Sequence, residues 1–229
     1  TNANGGQQYI IQNYRARTYG PSTEITELLK TDSKVSKIIN LSGKQEKQKK
    51  RLRLEIRRAI EAELAATRAK SGNKAISGFK ETPEIKLASK SFESNKGKLP
   101  WPVAKGEITG KFGKHKHNIV KTADVENNGI DISTTKGAGV RVIFKGEVSS
   151  VLVIPGAGKV VMVKHGSYRS VYSNLQEVFV TKGEKVETKE EIGQLLANGN
   201  TSQAHIEVWK INADGSMAKQ NPEYWIYNK

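Results

Sequence analysis

The sequence predicts an α+β chain, in which an all-β, mainly antiparallel domain follows a basic α-helical arm. Residues 44–70 contain neither Gly nor Pro, and their apolar residues recur at helical spacing, which indicates an amphipathic helix. The apolar positions lie four residues apart: Leu52, Ile56, Ile60 and Leu64. From Leu99 onward, short alternating apolar runs are separated by Gly and Asn at hairpin distances, as in antiparallel sheets. These patterns divide the chain into an arm with a linker, 1–98, and a β domain, 99–229.

The arm is predicted to hold two helices and a linker. A capping serine followed by apolar residues at spacings of three, four and six predicts a helix near 22–40. A Ser-Gly pair then predicts a break before the helix at 44–70. Residues 71–98 are rich in Gly, Ser, Asn and Lys and contain Pro83, a composition typical of a linker. The narrow apolar stripe of the second helix fits either a fragment of a longer coiled coil or an arm that folds over the domain.

Within the β domain, the alternating runs predict strands bounded by turn residues. The predicted strands cover 139–144, 146–154, 159–165, 178–181 and 205–211.

The chain is strongly basic, with a formal net charge of +15. Residues 1–99 hold 21 Lys and Arg against 10 Asp and Glu, whereas residues 100–229 hold 17 against 13. Glu and Lys are mixed on the predicted helix without interleaved aromatic residues, which favours a solvated face over a nucleic-acid surface. The absence of Cys excludes disulfides and thiolate metal sites. No apolar run approaches the roughly 18 residues that a membrane-spanning helix needs.

Two short segments combine a carboxylate and an imidazole, which can bind a metal, with amide side chains. They are Asn127-Asn128-Gly129-Ile130-Asp131 and Gln203-Ala204-His205. A hydrolytic zinc ion needs three protein ligands, an open position for water and a base. Asp131 and His205 are good zinc ligands, whereas Asn127 offers only a neutral amide oxygen and Gln203 has no basic group near neutral pH.

A series of motifs in the β domain occurs in the order found in LytM (lysostaphin-type) peptidoglycan endopeptidases. They are Leu99-Pro100-Trp101-Pro102-Val103, Gly106-Glu107-Ile108, Phe112-Gly113, Val163-Lys164-His165-Gly166, Lys182-Gly183-Glu184-Lys185-Val186 and Asn221-Pro222-Glu223-Tyr224-Trp225. Residues 99–229 therefore resemble this family of zinc enzymes over their whole length.

The resemblance implies a degenerate active site. The family's three zinc ligands match Asn127, Asp131 and His205, and its two further catalytic histidines match Asn174 and Gln203. Three of the five chemical positions are therefore replaced, and the resemblance implies neither catalysis nor a bound metal cofactor.

A basic helical region ahead of a degenerate LytM domain is similar to EnvC-type activators of murein amidases. This resemblance implies a non-catalytic activator of an N-acetylmuramoyl-L-alanine amidase in cell division, autoinhibited by its arm. It also implies a periplasmic protein, and a division ABC-transporter-like complex as a further partner through a coiled coil that this chain largely lacks. The chain begins without Met and without a basic-then-apolar leader, so we expect a mature or truncated form of an exported protein.

The partner is expected to bind in the degenerate groove. Amide and aromatic side chains desolvate at low cost and suit a protein interface. The expected lining residues are Asn127, Asp131, Tyr172, Asn174, Gln203, His205, Trp209 and Lys210. An equal alternative is that Trp209 and Trp225 only cap the core.

Two other functions remain open from the sequence. One is a working zinc endopeptidase with atypical ligands, for which His115 and His117 are candidates because i, i+2 spacing places two rings on one face of a strand. Flanking lysines disfavour a dication there. The other is a peptidoglycan-binding module, which nothing in the residues excludes.

Overall fold

The computed structural model describes residues 23–70, 79, 81–116, 124–155 and 158–227. The chain divides into two compact units, residues 1–45 and residues 46–229. In the first unit, residues 23–45 are helical. The second unit contains the rest of that helix and the β domain. Among the described helices, none is long and apolar enough to cross a membrane.

The first helix, α1, runs without interruption from Thr23 to Lys70. The two helices predicted near 22–40 and 44–70 are therefore one, and the break predicted at Gly43 is wrong. A single helical Gly costs only about 1 kcal/mol relative to Ala. No atom lies within 4 Å of the position where a Cβ on Gly43 would stand, so nothing there forces a turn.

A second helix, α2, covers Pro83–Ser94 inside the segment predicted as a linker. Its start has standard signals: Thr82 accepts a hydrogen bond from the Ile85 amide, and Pro occupies the first turn. Its apolar anchor is Phe92, whose ring stacks on other aromatic rings of the domain at centroid distances of 4.7–5.0 Å. The prediction missed α2 because it rested on the Gly, Ser, Asn and Lys content of the segment, although Ile85, Ala88 and Phe92 lie at helical spacing.

Across the described residues, the remaining elements are thirteen strands and one short 3₁₀ helix. The strands are β1 (Glu107–Gly110), β2 (Gly113–Lys116), β3 (Asp124–Asn127), β4 (Ile130–Thr135), β5 (Gly139–Arg141), β6 (Gly146–Ile154), β7 (Gly158–His165), β8 (Tyr168–Val178), β9 (Lys185–Val186), β10 (Glu191–Leu195), β11 (Ala197–Asn198), β12 (Thr201–Ile211) and β13 (Met217–Gln220), and the 3₁₀ helix covers Pro222–Tyr224.

Eleven strands form one sheet with the order β1-β4-β12-β8-β7-β6-β9, and β10, β5, β11 and β13 pair at its margins. Strands β2 and β3 form a separate pair. Every pairing between these strands is antiparallel, which confirms the predicted fold class.

Some predicted strand limits are wrong. The run at 178–181 is not a strand, because β8 ends at Val178 and a turn follows. The longest missed strand is β8 itself, whose Ser, Arg, Tyr and Asn residues hide its alternation. The strand predicted over 139–144 ends at Arg141.

The sheet buries side chains on both faces. Alternate residues of β12 point to opposite sides, so Ala204, Ile206 and Val208 join the main core while Trp209 and Ile211 join a second cluster. This second cluster lies under α1 and contains its four-residue stripe: Leu52, Ile56, Ile60 and Leu64. We call the sheet face that carries Asp131, His205, Glu207 and Trp209 the groove face.

His165 is a buried neutral histidine that makes the domain sensitive to acid. Its Nδ1–H donates to the Lys145 carbonyl (2.8 Å), and its Nε2 accepts from the Ser170 hydroxyl (2.8 Å). Burial lowers the pKa of His165 to about 3.

Because the unfolded histidine has a pKa of about 6.5, the stability that His165 contributes is complete above that pH. It is lost as the pH falls toward 3, with a slope of about 1 kcal/mol per pH unit. We expect urea unfolding between pH 7 and pH 4 to show a shallower loss of stability in His165→Gln than in wild type. The matched control is His115→Gln, at a partly exposed site. Equal slopes for wild type and His165→Gln would contradict this assignment.

Candidate functional site

Strand pairing brings together the two good ligand residues that the sequence singled out. Asp131 in β4 lies opposite His205 in β12, and His205 lies opposite Ser173 in β8. Opposite residues in an antiparallel pair share one face of the sheet. His205 Nδ1 lies 2.7 Å from Asp131 Oδ1, and both side chains are buried. The predicted juxtaposition is therefore present.

Asn127, at the end of β3, completes this side of the site. Its Nδ2 donates to Asp131 Oδ2 (3.2 Å), and its Oδ1 accepts from the Gly129 amide (3.3 Å). A Cβ on Gly129 would lie 1.9 Å from the Ile206 carbonyl oxygen. Only glycine fits where the chain enters β4 against β12, so this residue sets the approach of Asn127 to Asp131.

The other ring nitrogen of His205 contacts a carboxylate that the prediction missed. His205 Nε2 lies 3.1 Å from Glu207 Oε1, and Glu207 Oε2 accepts from Trp209 Nε1 (2.7 Å). Glu207 is only 1% exposed. The sequence signal that could have identified Glu207 is its position two residues after His205, because this spacing places both side chains on one face of a strand.

A lysine from α1 also reaches the site. Lys49 Nζ lies 3.3 Å from Asp131 Oδ2. One turn further along the helix, the Arg53 guanidinium donates to the Glu126 carbonyl, just before Asn127. Both helical residues belong to the same compact unit as the sheet. No local sequence pattern indicates this contact, because it depends on how the helix crosses the sheet.

The charged groups of the site stabilise one another against the cost of burial. Burial alone would raise the pKa of Asp131, but the hydrogen bond and charge of His205, together with Lys49, hold that pKa below its usual range. Burial alone would lower the pKa of His205, but its hydrogen bonds to Asp131 and Glu207 raise that pKa to about 9. At neutral pH, His205 is therefore an imidazolium that donates to both carboxylates.

This arrangement does not fit a catalytic zinc ion. Zinc sites in proteins are built from imidazole, carboxylate and thiolate ligands, whereas the third position here is the Asn127 amide, whose Nδ2 donates to Asp131. Asp131 Oδ2 already accepts from Lys49 and Asn127, and the ammonium would lie next to a dication. Across the described ranges of the chain, no three His, Cys, Asp or Glu residues are grouped to hold a metal. His115 lies in that range, whereas His117 lies outside the described residues.

Two predicted groove residues lie at the rim of the site. Asn174 follows Ser173 with a φ of 65°, and its Nδ2 donates to the Gln203 carbonyl (3.1 Å). The Gln203 side chain is exposed. Asn tolerates this left-handed conformation better than most residues. The backbone thus brings positions 174 and 203 together, with two neutral amides at the rim.

The structure places the other three predicted groove residues elsewhere. Tyr172 lies in the main core, where its hydroxyl accepts from the Ile143 amide (2.9 Å), so its expected place on the groove wall is wrong. Strand alternation points Lys210 away from the groove face, toward Glu93 of α2 (3.2 Å). Trp209 is on the groove face but lies beneath α1, 5% exposed, in the second cluster. Parity along β8 and β12 explains the positions of Tyr172 and Lys210, whereas α1 covers Trp209.

Comparison with known proteins identifies the domain. Residues 125–220 match the model of peptidase family M23. The peptidoglycan DD-endopeptidase ShyB of Vibrio cholerae is 30% identical over 120 residues, which cover 52% of this chain and 28% of that protein. The uncharacterized protein NMB1333 of Neisseria meningitidis is 34% identical over 137 residues, which cover 59% of this chain and 21% of that protein. The chain spans less than a third of the length of these two curated relatives.

Among solved structures, a zinc containing peptidase from Vibrio cholerae is similar to this chain. It is 27% identical, the match covers 54% of this chain and 39% of that one, and the TM-score is 0.43. The family match lies in the antiparallel domain and includes the strands that carry Asp131 and His205. Residues 125–220 are therefore similar to peptidase family M23, in agreement with the LytM-type motifs.

Proposed function

We propose that this chain is a non-catalytic, EnvC-type activator of a cell-wall N-acetylmuramoyl-L-alanine amidase. One observation carries the proposal: α1 lies on the groove face, and its Lys49 contacts the carboxylate of Asp131, which matches a family zinc ligand. A substrate strand that needs this groove would meet a helix instead. The same contact engages the acidic side chain that a metal would need.

The amide side chains around the site support a non-catalytic role. Asn127, Asn174 and Gln203 stand where the resembling enzymes have a zinc ligand and two catalytic histidines. An amide neither takes the proton of an attacking water near neutral pH nor binds zinc well. An activator needs none of these properties, since it has only to bind one state of its partner better than the other.

The position of α1 supports autoinhibition. Four apolar side chains of the helix are buried against the groove face, each at most 6% exposed: Leu52, Ile56, Ile60 and Leu64. An amidase that binds the same face must first displace them. Export to the periplasm and a role in cell division, with a division ABC-transporter-like complex acting on the arm, belong to this proposal. The arm is then the element that such a partner would move.

The proposal is tested by zinc analysis and a dye-release murein assay. After dialysis against chelator and re-addition of zinc, we expect far less than one zinc per chain, no dye release by the chain alone, and stimulation of a purified amidase. Stoichiometric zinc with dye release by the chain alone would refute the proposal.

A second candidate is a working peptidoglycan endopeptidase with atypical ligands. It is favoured by one finding, the 30% identity to a relative named as a peptidoglycan DD-endopeptidase. The zinc and dye-release measurements separate it from the activator. A third outcome, in which purified murein pulls the chain down while the amidase is unaffected, would identify a peptidoglycan-binding module.

A further inference from the structure

The segment of α1 that covers the groove face, residues 46–67, presents one apolar stripe to the sheet. The stripe residues lie four apart, so all of them fall on one side of the helix. They pack against Met162 and Trp209, among others, in the second cluster. Apolar packing of this kind is not directional, and by itself it would accept a helix in either orientation.

Two ionic contacts lie at the ends of this stripe. Before it, Lys49 meets Asp131 at 3.3 Å. Near its end, Glu63 binds Arg169 in a bidentate pair, with Nη2 to Oε1 at 2.6 Å and Nε to Oε2 at 3.2 Å. The first contact requires a cation from the helix, and the second requires a carboxylate. Because their signs are opposite, a reversed helix would bring like charges together at both ends.

Arg169 is held in place independently of the helix. Its Nη1 donates to the carbonyls of Gly166 and Tyr168, both at 2.7 Å, and the residue is 2% exposed. The guanidinium fork is thus oriented for a carboxylate before one arrives. An occupant without that carboxylate would leave a buried cation unpaired, which is strongly unfavourable.

Two further charge pairs on the same helix segment stay on its exposed side, whereas Arg53 reaches the Glu126 carbonyl of β3. Arg57 pairs with Glu61 (2.9 Å) and Arg58 with Glu55 (2.9 Å), and all four side chains are at least 40% exposed. Exposed pairs of this kind add little to stability. They offer a matched internal control for the two contacts that reach the sheet.

We infer that the groove face is a receptor for an amphipathic helix that carries a cation at one end and a carboxylate fourteen residues later, with α1 as its internal occupant. Fourteen residues of α-helix span about 21 Å along the axis, and this is the axial distance between the two helix residues that contact Asp131 and Arg169. This inference rests on the proposed function, because it assumes that the partner that binds the groove does so through a protein helix. It adds the chemistry and direction that such a helix must have.

The test measures how peptides of residues 46–67 bind to a full-length receptor chain. The receptor carries Ile56→Asp and Ile60→Asp, because these substitutions displace its own α1 from the groove face. Three fluorescein-labelled peptides of identical composition and net charge are compared by anisotropy: the native sequence, Lys49→Glu/Glu63→Lys, and Arg57→Glu/Glu61→Arg. We expect the native and Arg57/Glu61 peptides to bind with Kd values within two-fold of each other. The Lys49/Glu63 peptide should bind at least ten-fold more weakly.

Equal binding of the Lys49/Glu63 peptide would overturn the inference, as would failure of the native peptide to bind. These outcomes are independent of any amidase. A chain that discriminates between the peptides but does not stimulate an amidase would refute the proposed function and leave the helix receptor intact. Stimulation of an amidase by a chain that does not discriminate between the peptides would support the proposed function and refute the helix receptor.

Discussion

The variant Ile56→Asp is expected to lift α1 off the groove face and to stimulate a purified amidase at least ten-fold more than the wild-type chain at equal concentration. Ile56 is fully buried between α1 and the sheet. Its replacement removes about 1.5–3 kcal/mol of apolar burial and forces a carboxylate to leave the interface. A shift of that size moves an equilibrium with about one per cent open molecules to roughly 10–60% open.

The control for this prediction lies on the same helix. Leu54 is 48% exposed, so Leu54→Asp makes the same chemical change without touching the sheet. We expect fast amide hydrogen exchange over residues 49–64 in Ile56→Asp alone, together with the gain in dye release in the presence of amidase. If both variants exchange and stimulate equally, the helix does not restrain the groove. Fast amide exchange in Ile56→Asp without stimulation of the amidase would show that the exposed groove face does not activate that enzyme.

The variant Glu207→Ala is expected to be the most destabilising single change in the site. Glu207 is the buried acceptor for both His205 and Trp209. Removing one partner of a buried ionic network costs roughly 3–5 kcal/mol, because it leaves the other groups uncompensated. For a domain of this size, that corresponds to a fall in Tm of roughly 6–20 °C.

Calorimetry of Glu207→Ala against Glu187→Ala, at an exposed position, tests this expectation. Glu207→Gln should fall between wild type and Glu207→Ala, since it keeps one acceptor oxygen but loses the charge. A Tm of Glu207→Ala within 2 °C of wild type would mean that Glu207 is incidental to the site. The same result would contradict the assignment of His205 as an imidazolium that donates to two carboxylates.

The elements that the sequence predicted well are those with a strong local signal. The stripe on α1 repeats every four residues, and β6, β7 and β12 carry Val and Ile residues between turn residues, so their existence follows from local pattern. Element ends were less certain: the helix continues through Gly43, and α2 lay in an apparent linker. A single glycine and a short capped turn are weak local signals that packing easily overrides.

Within the site, the sequence by itself determined which residue types occupy the positions that match the family's chemical residues, and three of them are amides. The motif order placed Asp131 and His205 together, and strand register explains why that inference holds. The choice of Tyr172 and Lys210 as groove residues failed because neighbours along a strand point to opposite faces. Motif matching identifies a segment, whereas the parity of its strand decides which side chains meet.

Only the tertiary structure decided how the charges are paired. Lys49 and Asp131 lie 82 residues apart, and Glu63 and Arg169 lie 106 apart, so no local pattern links either pair. Their contact depends on where α1 crosses the sheet, which is set by the packing of its apolar stripe. The sequence therefore determined that a basic amphipathic helix precedes a β domain, and it predicted a degenerate zinc site there. The packing of that helix decided that its own lysine and glutamate meet the buried charges of the groove.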